Sequence, residues 1–176
     1  MDQPHIKPAE PAITASADKV EFRDAMAQLC AGVSIITTDG SAGRAGCTAT
    51  AVCSVSDDPP TLLVCLNRSS RNNSVIRANG RLCVNILAAE QEPLARSFAD
   101  ATLSMDERFA RASWRQDLQQ SPALSGATAS LDCDIDATEE IGSHSVFFCR
   151  IRHIEKGETR SGLAYFNRAF HKLGNG

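Results

Sequence analysis

The sequence predicts a mainly β fold, a closed β-barrel with helical decorations. Three observations carry this. Six or seven short segments alternate apolar and polar residues or are rich in β-branched ones. Turn residues separate them at short intervals. Helical periodicity is confined to a few brief stretches. The length of 176 residues suits one domain with a core of its own.

The elements follow in chain order. Residues 1–17 hold three prolines and no periodicity, so they read as a disordered arm, with the domain spanning 18–176. Asp18 is a candidate N-cap with Glu21 three residues on. Phe22, Met26 and Leu29 then share one helix face, and Gly32 closes the helix. Residues 33–38, VSIITT, are a β-branched strand, and DGSAG at 39–43 is a turn. Residues 47–56, CTATAVCSVS, read as one alternating strand, with Ala49, Ala51, Cys53 and Val55 on one face, stopped by DDPP. TLLVCL, 61–66, is apolar throughout and reads as a strand buried on both faces.

RNNSVIRANG, 71–80, is a short helix ending at Gly80, and LCVNIL, 82–87, is a strand. A helix from about Gln91 to Phe98 places Leu94 and Phe98 four residues apart. Residues 99–126 are irregular. ATASLDCDIDA, 127–137, alternates, with Ala129, Leu131, Cys133 and Ile135 on the face read as buried. Thr128, Ser130, Asp132 and Asp134 form the face read as solvated, continued by Asp136. Two further strand regions, 143–155 and 165–173, complete the barrel.

Composition narrows the function. The 18 basic and 21 acidic residues leave a net charge of −3, and aromatics are only 5%, so neither a phosphate-tracking surface nor a base-stacking one is indicated. Nucleic acid is therefore not an expected partner. No apolar run is long enough to span a bilayer, and the N-terminus lacks a secretory pattern, so a cytoplasmic protein without a membrane partner is expected. The seven cysteines show no CxxC spacing and sit mainly in apolar runs, which suggests reduced, buried thiols and no metal site. Serine-triad order, HExxH and GxGxxG are all absent.

Three polar segments remain. GCTATA, 46–51, offers small residues and hydroxyls at a strand start, either for close approach of a ligand to the backbone or for a tight sheet crossing. CLNRSSRNN, 65–73, offers hydroxyls, amides and arginines at a helix start, the groups of a phosphate cradle, although an ordinary capped loop has the same composition. GSHS, 142–145, sets His144 at a strand start beside a turn, a common place for a surface histidine.

These segments lie in an order that resembles the short-chain flavin reductases, the NAD(P)H:flavin oxidoreductases serving two-component flavin monooxygenases such as 4-hydroxyphenylacetate 3-monooxygenase. The resemblance rests on FRDAMAQLCAGVSIITTDG, GRAGCTATAVCSVSDDPPTLLVCLNRSS, GRLCVNILAAEQEPLARSF, SMDERFARASW, and IGSHSVFFCRI ahead of GLAYFNRAFHKL, and it covers about residues 20–173. It implies an FMN-binding split β-barrel that forms a homodimer, with flavin near the subunit interface. It also implies that Thr48, Ala49, Thr50 and Ala51 run along the isoalloxazine edge. Asn67, Ser69, Ser70, Arg71 and Asn72 would form the ribityl and phosphate end. Gln91 and Phe98 would lie near the flavin, and His144 at the nicotinamide. The implied cofactors are FMN or FAD with NADH or NADPH. Hydride would pass from nicotinamide C4 to flavin N5, and reduced flavin would diffuse to a partner monooxygenase. The alternatives are a non-catalytic flavin-binding barrel and a pyridoxamine-oxidase-like flavin oxidase on a related barrel.

Overall fold

The computed structural model describes residues 17–116 and 121–174, so most of the expected arm lies outside the described residues. A nine-residue helix, α1 (Lys19–Ala27), starts at Asp18, whose carboxylate accepts from the Val20 and Glu21 amides. It ends at Gln28 and not at Gly32, because the chain has already turned into a two-residue strand, β1 (Ala31–Gly32). Next come β2 (Ser34–Thr38), β3 (Ala45–Ala49), β4 (Val52–Asp57) and β5 (Pro60–Asn67). Helix α2 (Arg71–Asn79) is capped by Ser70 and closed by Gly80 at φ 67°, the left-handed conformation that favours glycine. Strand β6 (Arg81–Ile86) leads through a 3-10 turn (Ala89–Gln91) into α3 (Glu92–Ala99) and α4 (Met105–Phe109). The short pair β7 (Trp114–Arg115) and β8 (Ala123–Leu124) precedes two 13-residue strands, β9 (Ala129–Ile141) and β10 (His144–Lys156). A hairpin, β11 (Gly162–Phe166) and β12 (Ala169–Leu173), ends the fold.

Seven strands form one antiparallel sheet in the order β3-β2-β6-β9-β10-β5-β4. Strands β3 and β4 are neighbours in sequence yet lie at opposite edges of this sheet. Only Thr50 and Ala51 connect them, a span of about 10 Å at most. The sheet therefore curls until its edges approach, but among the described residues no ladder joins them. The barrel is split, not closed. The expected single strand over 47–56 is broken for the same reason: its two halves belong to opposite edges.

Two clusters fill the interior. One lies inside the curled sheet and contains Ile36, Leu62, Val64, Leu66, Ile76, Leu82, Val84, Cys133, Phe147 and Cys149. The other packs α3 and α4 against the sheet through Val33, Ile35, Leu87, Leu94, Phe98, Phe109 and Leu124. Ile35 and Ile36 point to opposite faces of β2 and are both fully buried, so this strand separates the two cores. The expectation of two buried faces thus belongs to β2 and not to β5, where Leu62, Val64 and Leu66 are buried and Leu63 and Cys65 only partly so.

Strand β9 also departs from expectation. Its polar face holds Ser130 and Asp132, both buried, whereas a solvated face was expected. Asn85, fully buried on β6, explains the hydroxyl. Its Oδ1 accepts from Ser130 Oγ at 2.9 Å and from the Leu124 amide at 2.7 Å. Asp132 accepts from the Ser121 amide at 3.3 Å. The segment leading into β8 covers this face, so polar groups are buried with partners. Asp134 and Asp136 do remain near solvent, paired with Arg152 and Arg150.

Candidate functional site

The site is built around the β5–α2 connection. Antiparallel register sets His144, the first residue of β10, opposite Asn67, the last of β5. Two bonds fasten the connection to the β9–β10 turn: the Arg68 amide donates to Ser143 O at 2.9 Å, and Arg68 Nη1 to Gly142 O at 3.2 Å. Asn67 Oδ1 accepts from the Ser69 amide (2.9 Å) and hydroxyl (2.8 Å), which folds the loop. Ser70 Oγ accepts from the Asn72 amide at 3.2 Å and starts α2. His144 Nδ1 lies 2.9 Å from Ser143 Oγ, and its ring is exposed. Thus Asn67 and His144 meet across the sheet, and Ser69, Ser70, Arg71 and Asn72 follow Asn67 along the chain into α2.

Arg71 and Asn72 line a cavity of about 560 Å³, together with Arg44, Ala45, Leu103 and Arg108. Its three guanidinium groups differ. Arg108 is buried and donates to the carbonyls of Phe98, Asp100 and Leu103, holding the turn after α3. Arg44 pairs with Asp106 at 2.8 Å and lies 4.6 Å from the Phe109 ring centroid. The Arg71 guanidinium makes no hydrogen bond or ion pair with another described residue, and it stands at the positive end of α2. A free guanidinium, a helix N-terminus and the Ser70 hydroxyl, which accepts from Asn72 but donates to no described residue, form a donor set that fits a phosphate. The cavity has the size of a small-molecule site.

The 48–51 segment is divided. Thr48 Oγ1 donates to Ala95 O at 2.6 Å, so this hydroxyl ties β3 to α3. Ala49 ends the ladder with β2. Because β3 is an edge strand, alternate N–H groups on it lack a ladder partner and remain available. Thr50 and Ala51 lie in the barrel split and line a separate groove of about 460 Å³ with Phe22, Met26, Leu29 and Tyr165.

Gln91 lies apart as well. Its Oε1 accepts from the Ala88 amide at 2.9 Å, and it borders a third cavity with Leu94, Ser97 and Arg111. Phe98 needs correction as a ligand-contacting residue. It is 1% exposed, and its ring packs edge-on to Phe109 with centroids 5.2 Å apart, directly behind Gly46. Its side chain supports β3 and presents no ligand surface.

Sequence reasoning counted Arg68 among the cradle groups but missed its support, Arg77 and Glu140 beneath the loop, and Arg44 and Arg108 in the cavity wall. Arg68 is adjacent to residues singled out for their chemistry, but its partner Glu140 lies 72 positions away, which no local signal reveals. All seven cysteines are free. Burial pushes the Cys47 thiol up to about 12, with Arg108 pulling weakly the other way, and pushes Cys149 to about 12. Burial raises Cys83 and Cys133 too. At neutral pH these four thiols stay protonated, so none of them acts as a thiolate nucleophile.

The flavin reductase like domain family matches residues 26–174. The 4-hydroxyphenylacetate 3-monooxygenase reductase component of Pseudomonas aeruginosa is 52% identical, over 86% of this chain and 90% of that protein. The FMN reductase (NADH) RutF of Yersinia enterocolitica is 51% identical, over 94% of this chain and 91% of that one. The Streptomyces globisporus NADH:FAD oxidoreductase, solved with NAD and FAD fragments, superposes with a TM-score of 0.82 at 29% identity, covering 89% and 93% of the two chains.

Proposed function

The chain belongs to the flavin reductase like family and is an NAD(P)H:flavin oxidoreductase, and we propose that it uses NADH to reduce FMN for a partner flavin-dependent monooxygenase. FAD and NADPH are the less favoured members of each cofactor pair, since RutF of Yersinia enterocolitica is named as an FMN and NADH enzyme. The observation that carries the reading is the free Arg71 guanidinium at the start of α2, beside Ser69 and Ser70 and over the 560 Å³ cavity. These groups would hold the flavin phosphate. The edge amides of β3 would hold the polar edge of the ring system, and His144 would hold the nicotinamide carboxamide. Bound flavin supplies the hydride-accepting centre, so the protein needs no acid–base dyad. What these side chains contribute is orientation and water exclusion.

The test is NADH oxidation with FMN and with riboflavin. The double substitution Ser69→Ala/Ser70→Ala is expected to raise KM for FMN about tenfold or more, by the size of a hydrogen bond to a charged group, and to affect riboflavin less. Ser70→Ala also removes the α2 cap, and since the α2 N-terminus belongs to the same phosphate end, that loss too falls on FMN more than on riboflavin, so the FMN-to-riboflavin ratio reports the phosphate end as a whole. An unchanged ratio argues against the assignment. In the same assay His144→Ala is expected to lower kcat/KM for NADH about 5–50-fold with FMN affinity retained. Failure of the wild-type protein to oxidise NADH in the presence of FMN would leave only a flavin-binding barrel.

The homodimer belongs to the same proposal. Val20, Phe22, Met26 and Leu29 of the α1 region are exposed at 63%, 58%, 46% and 59%. Phe22, Met26 and Leu29 border the groove that contains Thr50, Ala51 and Tyr165. This apolar face is fastened to the body through the Asn167 amide on Ala27 O and the Arg168–Asp24 pair. A fixed apolar face of this kind suits a partner of the same chain. Sedimentation at micromolar concentration is expected to give a dimer, and Phe22→Ser/Met26→Ser a monomer. A monomeric wild type sinks this part of the reading.

A further inference from the structure

We propose that Glu140 is a positioning residue for the phosphate end of the site, gripping both ends of the segment that carries Ser69–Asn72; this rests on the flavin-phosphate reading above. Glu140 stands near the end of β9, opposite Ser145 of β10. Its carboxylate receives Arg68 Nε at 2.7 Å, the Arg77 guanidinium, and Ser145 Oγ at 3.1 and 3.2 Å. Arg68 immediately precedes the proposed phosphate groups. Arg77 lies in the last turn of α2, beyond them. One carboxylate therefore fixes the entry to the loop and the far end of the helix.

Ser145 extends the hold. It is fully buried, and its hydroxyl accepts from Asn73 Nδ2 at 2.9 Å and from Arg77 at 3.0 Å. Asn73 is also buried and donates to Leu66 O at 3.1 Å. The chain is thus anchored at Arg68 and again at Asn73. Only residues 69–72 lie between, and among them Arg71 keeps its guanidinium unengaged. The anchors set where that group and the α2 N-terminus point. Glu140 faces this network and not the 560 Å³ cavity, whose lining does not include it. Its effect on a ligand is therefore indirect. Removing the carboxylate leaves two guanidinium groups without their shared counter-charge and leaves Arg68 held to the turn only by its bonds to Ser143 O and Gly142 O.

The experiment measures KM for FMN and riboflavin, kcat and Tm in Glu140→Ala, Arg68→Ala and the double variant, with Glu139→Ala as control. Glu139 is exposed on the same strand. Glu140→Ala is expected to raise KM for FMN about tenfold, riboflavin much less, and to leave kcat within about twofold. The double variant should resemble Glu140→Ala, which already removes the Arg68 contact. Arg68 is 53% exposed, so Arg68→Ala keeps the test open if Glu140→Ala folds poorly. A lower Tm with a wild-type FMN-to-riboflavin ratio overturns the proposal and leaves Glu140 merely structural. If Ser69→Ala/Ser70→Ala shifts the ratio and Glu140→Ala does not, this inference fails alone. If neither shifts it, the phosphate reading fails first and takes this inference with it.

Discussion

Replacing Asn85 with Leu is expected to destabilise the fold by about 3–5 kcal/mol, near the upper end for a single substitution. Leucine has similar volume, so the loss is polar and not steric. The Asn85 amide uses its full capacity. Nδ2 donates to Ile35 O at 3.0 Å and to Thr37 Oγ1 at 3.1 Å. Oδ1 accepts from the Leu124 amide at 2.7 Å and Ser130 Oγ at 2.9 Å. Register sets Ile35, Asn85 and Ser130 abreast on β2, β6 and β9, so one side chain ties three strands and the β8 segment. Leucine would strand several of these groups away from water, each at a cost of roughly 1–3 kcal/mol. Some relief is available: Thr37 Oγ1 keeps its 2.6 Å bond to Pro122 O, and Ser130 can rotate. Denaturant unfolding, with Ser130→Ala expected to cost only about 1 kcal/mol, checks this. A loss below that of Ser130→Ala would show that water satisfies the orphaned groups.

The same asparagine shows what was legible in the sequence. Alternation along 127–137 correctly says which residues of β9 share a face. It does not say that the polar face is covered, because Asn85 lies 45 residues from Ser130 and the covering strand has two residues. Local devices were legible. The Asp18 cap and the span from Ser70 to Gly80 depend on neighbours within one helix, and the structure has them. The 47–56 stretch failed for a topological reason: its period does not change where the chain crosses the barrel split. In the candidate site, polar residues at a helix start stood out by composition. The buried supports Arg108 and Ser145 did not, since their partners come from other turns and strands. Phe98 shows the opposite error, a residue near the right strand whose role is to pack behind it.

That packing sets the second large effect. Gly46→Ala is expected to cost about 2–3 kcal/mol and to lower Tm by roughly 5–10 °C. Alanine is ordinarily the milder residue in a strand, so the sign depends on space alone. A Cβ on Gly46 would lie 2.7 Å from Phe98 Cε1 and 3.2 Å from Ile36 O. Neither neighbour yields easily. Phe98 is wedged against Phe109 and Trp114, with ring centroids 5.2 and 5.5 Å away, and Ile36 O belongs to β2, which is paired on both sides. The strain is relieved only by moving β3 away from α3. That movement pulls on the 2.6 Å bond from Thr48 to Ala95 O and displaces the edge proposed to meet the flavin ring. KM should therefore rise for FMN and riboflavin alike, unlike the phosphate-end variants, which separate the two. Phe98→Leu makes room for the new methyl group, so Gly46→Ala/Phe98→Leu is expected to recover much of the loss caused by Gly46→Ala alone. Calorimetry and flavin kinetics on the single and double variants decide it. A Gly46→Ala protein with wild-type Tm would mean that β3 and α3 approach less closely than this contact requires.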